Sequence, residues 1–247
     1  MERALTLTKT TIGKKVLMAL SGIMMLGFSV GHLSGNLKAF ASAQAFNDYA
    51  AWLRTMPTLL WIARIGLLIA LVVHLAAAAS LWARNRAARP NRYAKKKDLA
   101  TDYAAKTMYW SGPILFFYIV FHLLHLTLGG AIFGDSPVFG IEGYTFDHHN
   151  PYNNMVKGFQ YWPLVAVYAL GVISLATHLF HGIWSMFQTL GANHKRYNPF
   201  RRDVAIGLAV LLGVGFLSIP IAVQADLLRP TEQAFYYPEL APDSDDE

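Results

Sequence analysis

At 247 residues, 54% hydrophobic and only 15% charged, the chain falls well below the roughly one quarter of charged residues that a soluble domain carries. It has no cysteine, which excludes disulfides, thiolate metal sites and iron–sulfur clusters ligated by this chain. A net charge of +6 would suit nucleic acid, but the basic residues sit in alternate loops between apolar blocks, which is the pattern of membrane topology.

Five apolar blocks reach the ~20 residues needed to cross a hydrocarbon core. They are Lys14–Gly35, Thr58–Ala83, Thr107–Phe133, Phe159–Gln188 and Val204–Val223. The first starts behind Lys14-Lys15 as a signal peptide would. It is longer than an h-region, however, and runs into Gly31-His-Leu-Ser-Gly-Asn36 without a small-x-small cleavage pattern. It reads as a retained helix. The third and fourth blocks are joined by Gly134–Gly158, rich in Gly, Pro, Asn and aromatics, which is expected to form an ordered cap. Residues 1–228 read as one transmembrane domain without internal repeats. Residues 229–247, ending in Asp243-Ser-Asp-Asp-Glu247, read as an acidic, disordered tail.

The orientation follows from the basic residues. The N-terminal segment (Arg3, Lys9, Lys14, Lys15), the second connection (Arg84, Arg86, Arg89, Arg92, Lys95, Lys96, Lys97, Lys106) and the fourth (Lys195, Arg196, Arg201, Arg202) hold sixteen. The opposite side holds Lys38, Arg54, Lys157 and Arg229. The asymmetry places the N-terminus in the cytoplasm and the C-terminus outside.

An ionisable side chain within the hydrocarbon is costly unless it is paired or used. No Asp or Glu lies in the five blocks, which argues against a carboxylate proton relay. Arg64 and six histidines remain: His32, His74, His122, His125, His178 and His181; His148, His149 and His194 fall in loops. A single intramembrane histidine is usually structural, bonded to a backbone carbonyl. Histidines in four successive helices without acidic partners point elsewhere. Imidazole suits iron, and a porphyrin fills an apolar slot between helices.

Depth sorts the histidines into pairs. His74 lies ten residues before Arg84 and His178 ten before Gln188, so each stands about 15 Å from the inner end of its helix. They are expected to share one haem near the cytoplasm. His32 lies four residues before Asn36, toward the outside, and either His122 or His125 completes a second site, with depth favouring His125. Gly27, Gly31 and Gly35, spaced by four, offer a small-residue face to a helix or to a flat macrocycle. Arg64 has two readings, snorkelling outward or pairing with a haem propionate.

These residues fall in segments that resemble a known family. Gly31-His-Leu-Ser-Gly-Asn36, Ala43-Gln-Ala-Phe-Asn47 leading to Met56-Pro57, Val73-His-Leu75, Phe121-His-Leu123 and His178-Leu-Phe-His-Gly-Ile-Trp-Ser185 resemble the single-chain dihaem cytochrome b that anchors succinate dehydrogenases and fumarate reductases in the membrane. The likeness runs from about Ile12 to Val223. It implies an all-α membrane protein of five transmembrane helices, a four-helix haem-binding bundle plus one peripheral helix. It places two haems b, with axial ligands His74 and His178 for the inner and His32 and His122 for the outer. Here it prefers His122 to the depth-favoured His125. His125 and His181, one turn on at i+3, face nearly the same way and would line the haem pockets or bond propionates.

The resemblance further implies a flavoprotein and an iron–sulfur subunit on the cytoplasmic face of a bacterial inner membrane. Electrons would pass through the two haems to menaquinone or ubiquinone, in contact with membrane lipid and without nucleic acid. The chain itself has no flavin motif, dinucleotide loop or acid–base pair, so the dicarboxylate chemistry belongs to the partners. Some family members carry a glutamate just before the fourth ligand; here Leu175, Ala176 and Thr177 stand there. Ser21 and Trp184 inside, and Asn36 and Asp48 outside, are candidate quinone contacts. Two other classes compete. A cytochrome b subunit of a formate dehydrogenase or hydrogenase is disfavoured by the Pro57-to-His74 spacing and the His178-x-x-x-Gly182-Ile-Trp pattern. A histidine-using proton or metal transporter would need the carboxylates and broken helices missing here.

Overall fold

Five helices are long and apolar enough to cross a membrane, and among the described residues every element is helical. The computed structural model describes residues 8–88, 103–235 and 237. Arg3, the basic run Arg89–Lys97 and the acidic end Asp243–Glu247 lie outside them. The elements are α1 (Thr11–Asn36), α2 (Ala43–Arg54), α3 (Pro57–Ala87), α4 (Tyr103–His122), α5 (Gly129–Phe133), α6 (Pro151–Gln160), α7 (Trp162–Thr189) and α8 (Asn198–Gln224). The spanning helices are α1, α3, α4, α7 and α8.

The helix starts follow local chemistry. The Thr10 side chain accepts from the backbone N–H of Gly13 at 3.0 Å and caps α1. A proline stands in the first turn of α3, α6, α7 and α8, where its missing N–H costs nothing and its fixed φ suits the helix. This explains why α8 starts at Asn198 rather than at the expected Val204. Hydropathy marks only the apolar stretch, whereas Pro199 starts the helix earlier and takes in Arg201, Arg202 and Asp203.

The third span departs most from expectation. The expected helix Thr107–Phe133 stops as α-helix at His122. Leu123–Thr127 then forms a π-turn in which the Leu128 N–H reaches back five residues to the Leu123 carbonyl, at 2.8 Å. Such turns insert one residue and rotate the facing of the residues beyond them.

Close backbone approach joins α1 to α3, α4 to α7 and α7 to α8, with lighter contact of α1 with α7 and α8. The bundle is therefore two groups, α1/α3 and α4/α7/α8. Between them α1 and α4, and likewise α3 and α7, make little close backbone approach among the described residues. Leu33 of α1 lies on Gly215 of α8, where a Cβ would come within 2.6 Å of it. Arg84, near the end of α3, donates to the Lys9 carbonyl at 2.9 Å and to Thr11 Oγ1 at 3.3 Å, and Lys14 bonds Ser80. These contacts bring basic residues of the N-terminal segment and of the second connection to one end of the bundle.

The opposite end carries the densest core. Ala39, Tyr152, Met155, Val156, Phe159, Tyr168, Ile219 and Val223 are buried together there, under the expected cap, to which α2 and α6 add two short helices. Buried Asn47 and Asn150 stitch them. Asn47 donates to Asn150 Oδ1 at 3.0 Å and accepts from the Tyr152 N–H at 2.9 Å. Asn150 also accepts from the Asn153 N–H, at 3.0 Å, as the cap of α6. Asn150→Ala removes a helix cap and strands the Asn47 amide, and is expected to cost about 2 kcal/mol. Thermal unfolding of the purified chain in detergent reads this, and an unchanged midpoint would contradict it.

Residues 229–233, expected within the disordered tail, are hydrogen-bonded to the helices. Tyr152 Oη donates to the Arg229 carbonyl at 3.1 Å, and Asn153 and Thr231 exchange two bonds at 2.7 and 2.9 Å. Gln233 bonds Gln44 at 2.9 Å. The start of the acidic segment is thus tied to α6 and α2 by side-chain amides, partners that composition does not reveal.

Candidate cofactor site

The four histidines expected as ligands meet in two pairs across the space between the helix groups. His74 of α3 faces His178 of α7 with ring centroids 6.2 Å apart. His32 of α1 faces His122 of α4 at 5.8 Å. The pairs lie at different levels. His74 contacts Ser21 of α1, eleven residues before His32, and His178 contacts Ser111 of α4, eleven residues before His122. Both helices give the same separation, about 16 Å along the bundle.

The geometry suits metal ligation. A metal ion between two opposed imidazoles, with bonds of about 2 Å, sets the ring centroids about 6 Å apart. The ring planes cross at 53° and 77°, which coaxial ligation permits because each imidazole plane contains its own metal–nitrogen bond.

The second nitrogens are tethered. His74 Nδ1 lies 3.1 Å from the Met18 carbonyl and 3.2 Å from Ser21 Oγ. A carbonyl only accepts, so Nδ1 carries the proton and Nε2 keeps its lone pair. The ring lies against α1 at Gly22, where a Cβ would be in ordinary contact with it at 3.6 Å. His178 Nδ1 is 3.3 Å from Ser111 Oγ, and His122 Nδ1 is 3.3 Å from Tyr168 Oη. Holding one ring nitrogen by hydrogen bond while the other ligates is how proteins orient metal-binding histidines. His32 is instead packed among rings, stacked on Phe28 at 5.3 Å and against Phe216 of α8 at 5.8 Å.

Among the described residues no three metal-binding side chains gather in one place. Two opposed imidazoles and no third protein donor do not complete a zinc site. Two opposed imidazoles are a donor set that would hold the iron of a porphyrin, which brings its own further nitrogens. The residues present therefore fit a bis-histidine iron porphyrin at each level.

His125 stands apart from these pairs. It is fully buried in the π-turn, with Nδ1 3.0 Å from Tyr168 Oη and Nε2 3.0 Å from Tyr144 Oη. Both ring nitrogens are thus occupied by phenols. Gly158 admits the ring, since a Cβ there would come within 2.8 Å of it. Burial pushes the Tyr144 phenol up from its ordinary range, so it remains a protonated partner. His181 sits half-buried one turn beyond His178.

The remaining expected residues are placed as follows. Arg64 is on the exposed face of α3 with its guanidinium 5.1 Å from the Trp61 ring centre. Of the glycine stripe, Gly35 is covered by Tyr49, whereas a Cβ at Gly27 or Gly31 meets nothing within 4 Å. Ser21 serves His74, Trp184 lies under Arg201 at 5.1 Å, and Asp48 is bonded by Gln44 and Tyr237 at 2.5 and 3.0 Å. Ser111, Tyr144 and Tyr168 are not singled out by the sequence. Ser111 carries a weak signal as a hydroxyl within an apolar block, while the two tyrosines look like ordinary core or interface residues.

Fold and site together define an all-helical protein with five helices of membrane-spanning length and two levels of opposed histidines. Comparison with protein-family profiles, curated proteins and solved structures finds no match for the chain.

Proposed function

We propose that this chain is a dihaem cytochrome b, the membrane-anchor and electron-transfer subunit of a succinate:quinone oxidoreductase. The observation that carries this reading is the pair of imidazole couples, at 6.2 and 5.8 Å, spanning helices whose backbones approach little. His74 and His178 would hold the inner haem b, and His32 and His122 the outer. Bound there, haem supplies a one-electron couple within the hydrocarbon. The chain's own contribution is orientation: Met18, Ser21, Ser111 and Tyr168 fix the rings, and the apolar helices exclude water.

The sequence resemblance supports the remaining assignments. A flavoprotein and an iron–sulfur protein would dock on the cytoplasmic face, at the basic end of the bundle. Quinone would take the electrons within a bacterial inner membrane, with the N-terminus inside and the C-terminus outside. Dicarboxylate chemistry would belong to the flavoprotein. Purified after expression with haem supplied, the chain is expected to show a b-type reduced-minus-oxidised spectrum and two haems per polypeptide. A colourless protein would sink this reading.

A further inference from the structure

Arg201, in the first turns of α8, is a buried cation with no anion against it among the described residues. Only 4% of it is exposed. One guanidinium nitrogen donates to the Ala192 carbonyl and another to Asn193 Oδ1 at 3.1 Å, and the group lies over Trp184. All of these partners are neutral. Its Nε is buried and has no hydrogen-bond partner among the described residues. A buried charge held only by neutral groups is expensive, and a counter-charge from outside the chain would relieve it.

The surroundings show where that counter-charge enters. Arg201 lines a cavity of about 350 Å³ with Phe187, Asn193, His194, Tyr197 and Phe200. It opens at the end of the bundle where α7 leaves and α8 enters. Lys195, Arg196 and Arg202 are chain neighbours of its lining residues His194, Tyr197 and Arg201. Tyr197, at the N-cap of α8, provides no side-chain cap, so first-turn N–H groups add positive potential. The walls, however, are mainly apolar, and Phe200 and Tyr197 are 66% and 56% exposed at the margin of the spanning segment. A site with one buried cation, a basic rim and an apolar wall takes an amphiphile with an anionic head.

We propose that this cavity binds the phosphate of an anionic phospholipid, with Arg201 as its counter-ion and Phe200 and Tyr197 along its acyl chains. The site is independent of the histidine pairs, and basic pockets between spanning helices are a general means of holding such headgroups. A free phosphate ion shares the head chemistry but would gain nothing from the apolar wall.

The test uses the full-length chain in detergent, titrated with phosphatidylglycerol or phosphatidylcholine and read by native mass spectrometry and thermal unfolding. The wild type is expected to retain one more phosphatidylglycerol than phosphatidylcholine and to be stabilised by it selectively. Arg201→Gln should lower that preference about fivefold, the effect of one interfacial cation. Because Arg201 also clasps the 192–193 loop, Phe200→Ser serves as a second variant. It leaves those hydrogen bonds intact and should weaken phosphatidylglycerol retention without changing stability in lipid-free detergent. Equal retention of the two lipids by the wild type would overturn the proposal, as would an unchanged preference in Arg201→Gln together with unchanged phosphatidylglycerol retention in Phe200→Ser. Inorganic phosphate stabilising the chain as well as phosphatidylglycerol does would overturn the lipid assignment.

Discussion

Replacing His74 or His178 with alanine is expected to leave one haem per chain where the intact protein holds two, and both variants should lose the same one. The reasoning is geometric. The rings oppose each other at 6.2 Å across helices whose backbones approach little. Loss of either imidazole would leave one histidine of the couple to hold the group. Haem extraction gives the stoichiometry, and redox titration of the visible spectrum identifies the component that survives. The remaining couple should keep the potential it has in the wild type, because the other pair lies about 16 Å away along the bundle. Loss of different components in the two variants would show that the pairing is wrong.

The second large effect separates His122 from His125. His122→Ala should remove the outer haem, whereas His125→Ala should retain two haems and lose stability. His122 meets His32 at 5.8 Å. His125 is completely enclosed, with each ring nitrogen 3.0 Å from a tyrosine hydroxyl. Removing that ring leaves a cavity and takes a partner from two buried phenols, at a cost of about 3 kcal/mol or more. Haem content and the unfolding midpoint, measured on the same preparations, read the two effects independently. A haem-depleted His125→Ala protein beside a fully loaded His122→Ala protein would reverse the assignment.

The spans are legible in the sequence because their cause is crude: a continuous apolar stretch of membrane-spanning length needs no context. The meeting of His74 and His178 is legible for a related reason, since helical rise converts residue counts into depth. The outer site resists the same count. The π-turn at Leu123–Thr127 inserts a residue just after His122, whereas a depth count assumes a straight α-helix through Phe133. Nothing in Leu-Leu-His-Leu-Thr announces that turn, which depends on the enclosure of His125 by Tyr144 and Tyr168. The helices α2 and α6 are hidden for another reason. Each is short, and each is held by long-range amide contacts such as Asn47 with Asn150. The start of α8 is misplaced by hydropathy, which is blind to the polar turns that extend a helix beyond the hydrocarbon.

The two histidine levels also differ in how firmly their polarity is fixed. At the inner level the Met18 carbonyl permits only one arrangement of the His74 ring. At the outer level His122, Tyr168, His125 and Tyr144 form an unbroken row of hydrogen bonds at 3.3, 3.0 and 3.0 Å, and hydroxyls can point either way. A neutral imidazole has one donor and one acceptor, so His125 must donate toward one tyrosine and accept from the other. Reversing that choice turns the dipole of Tyr168 beside His122. The outer pair therefore sits in a local field with two settings, selected by the orientation of a phenol in the capping loop, while the His74 ring of the inner pair has one.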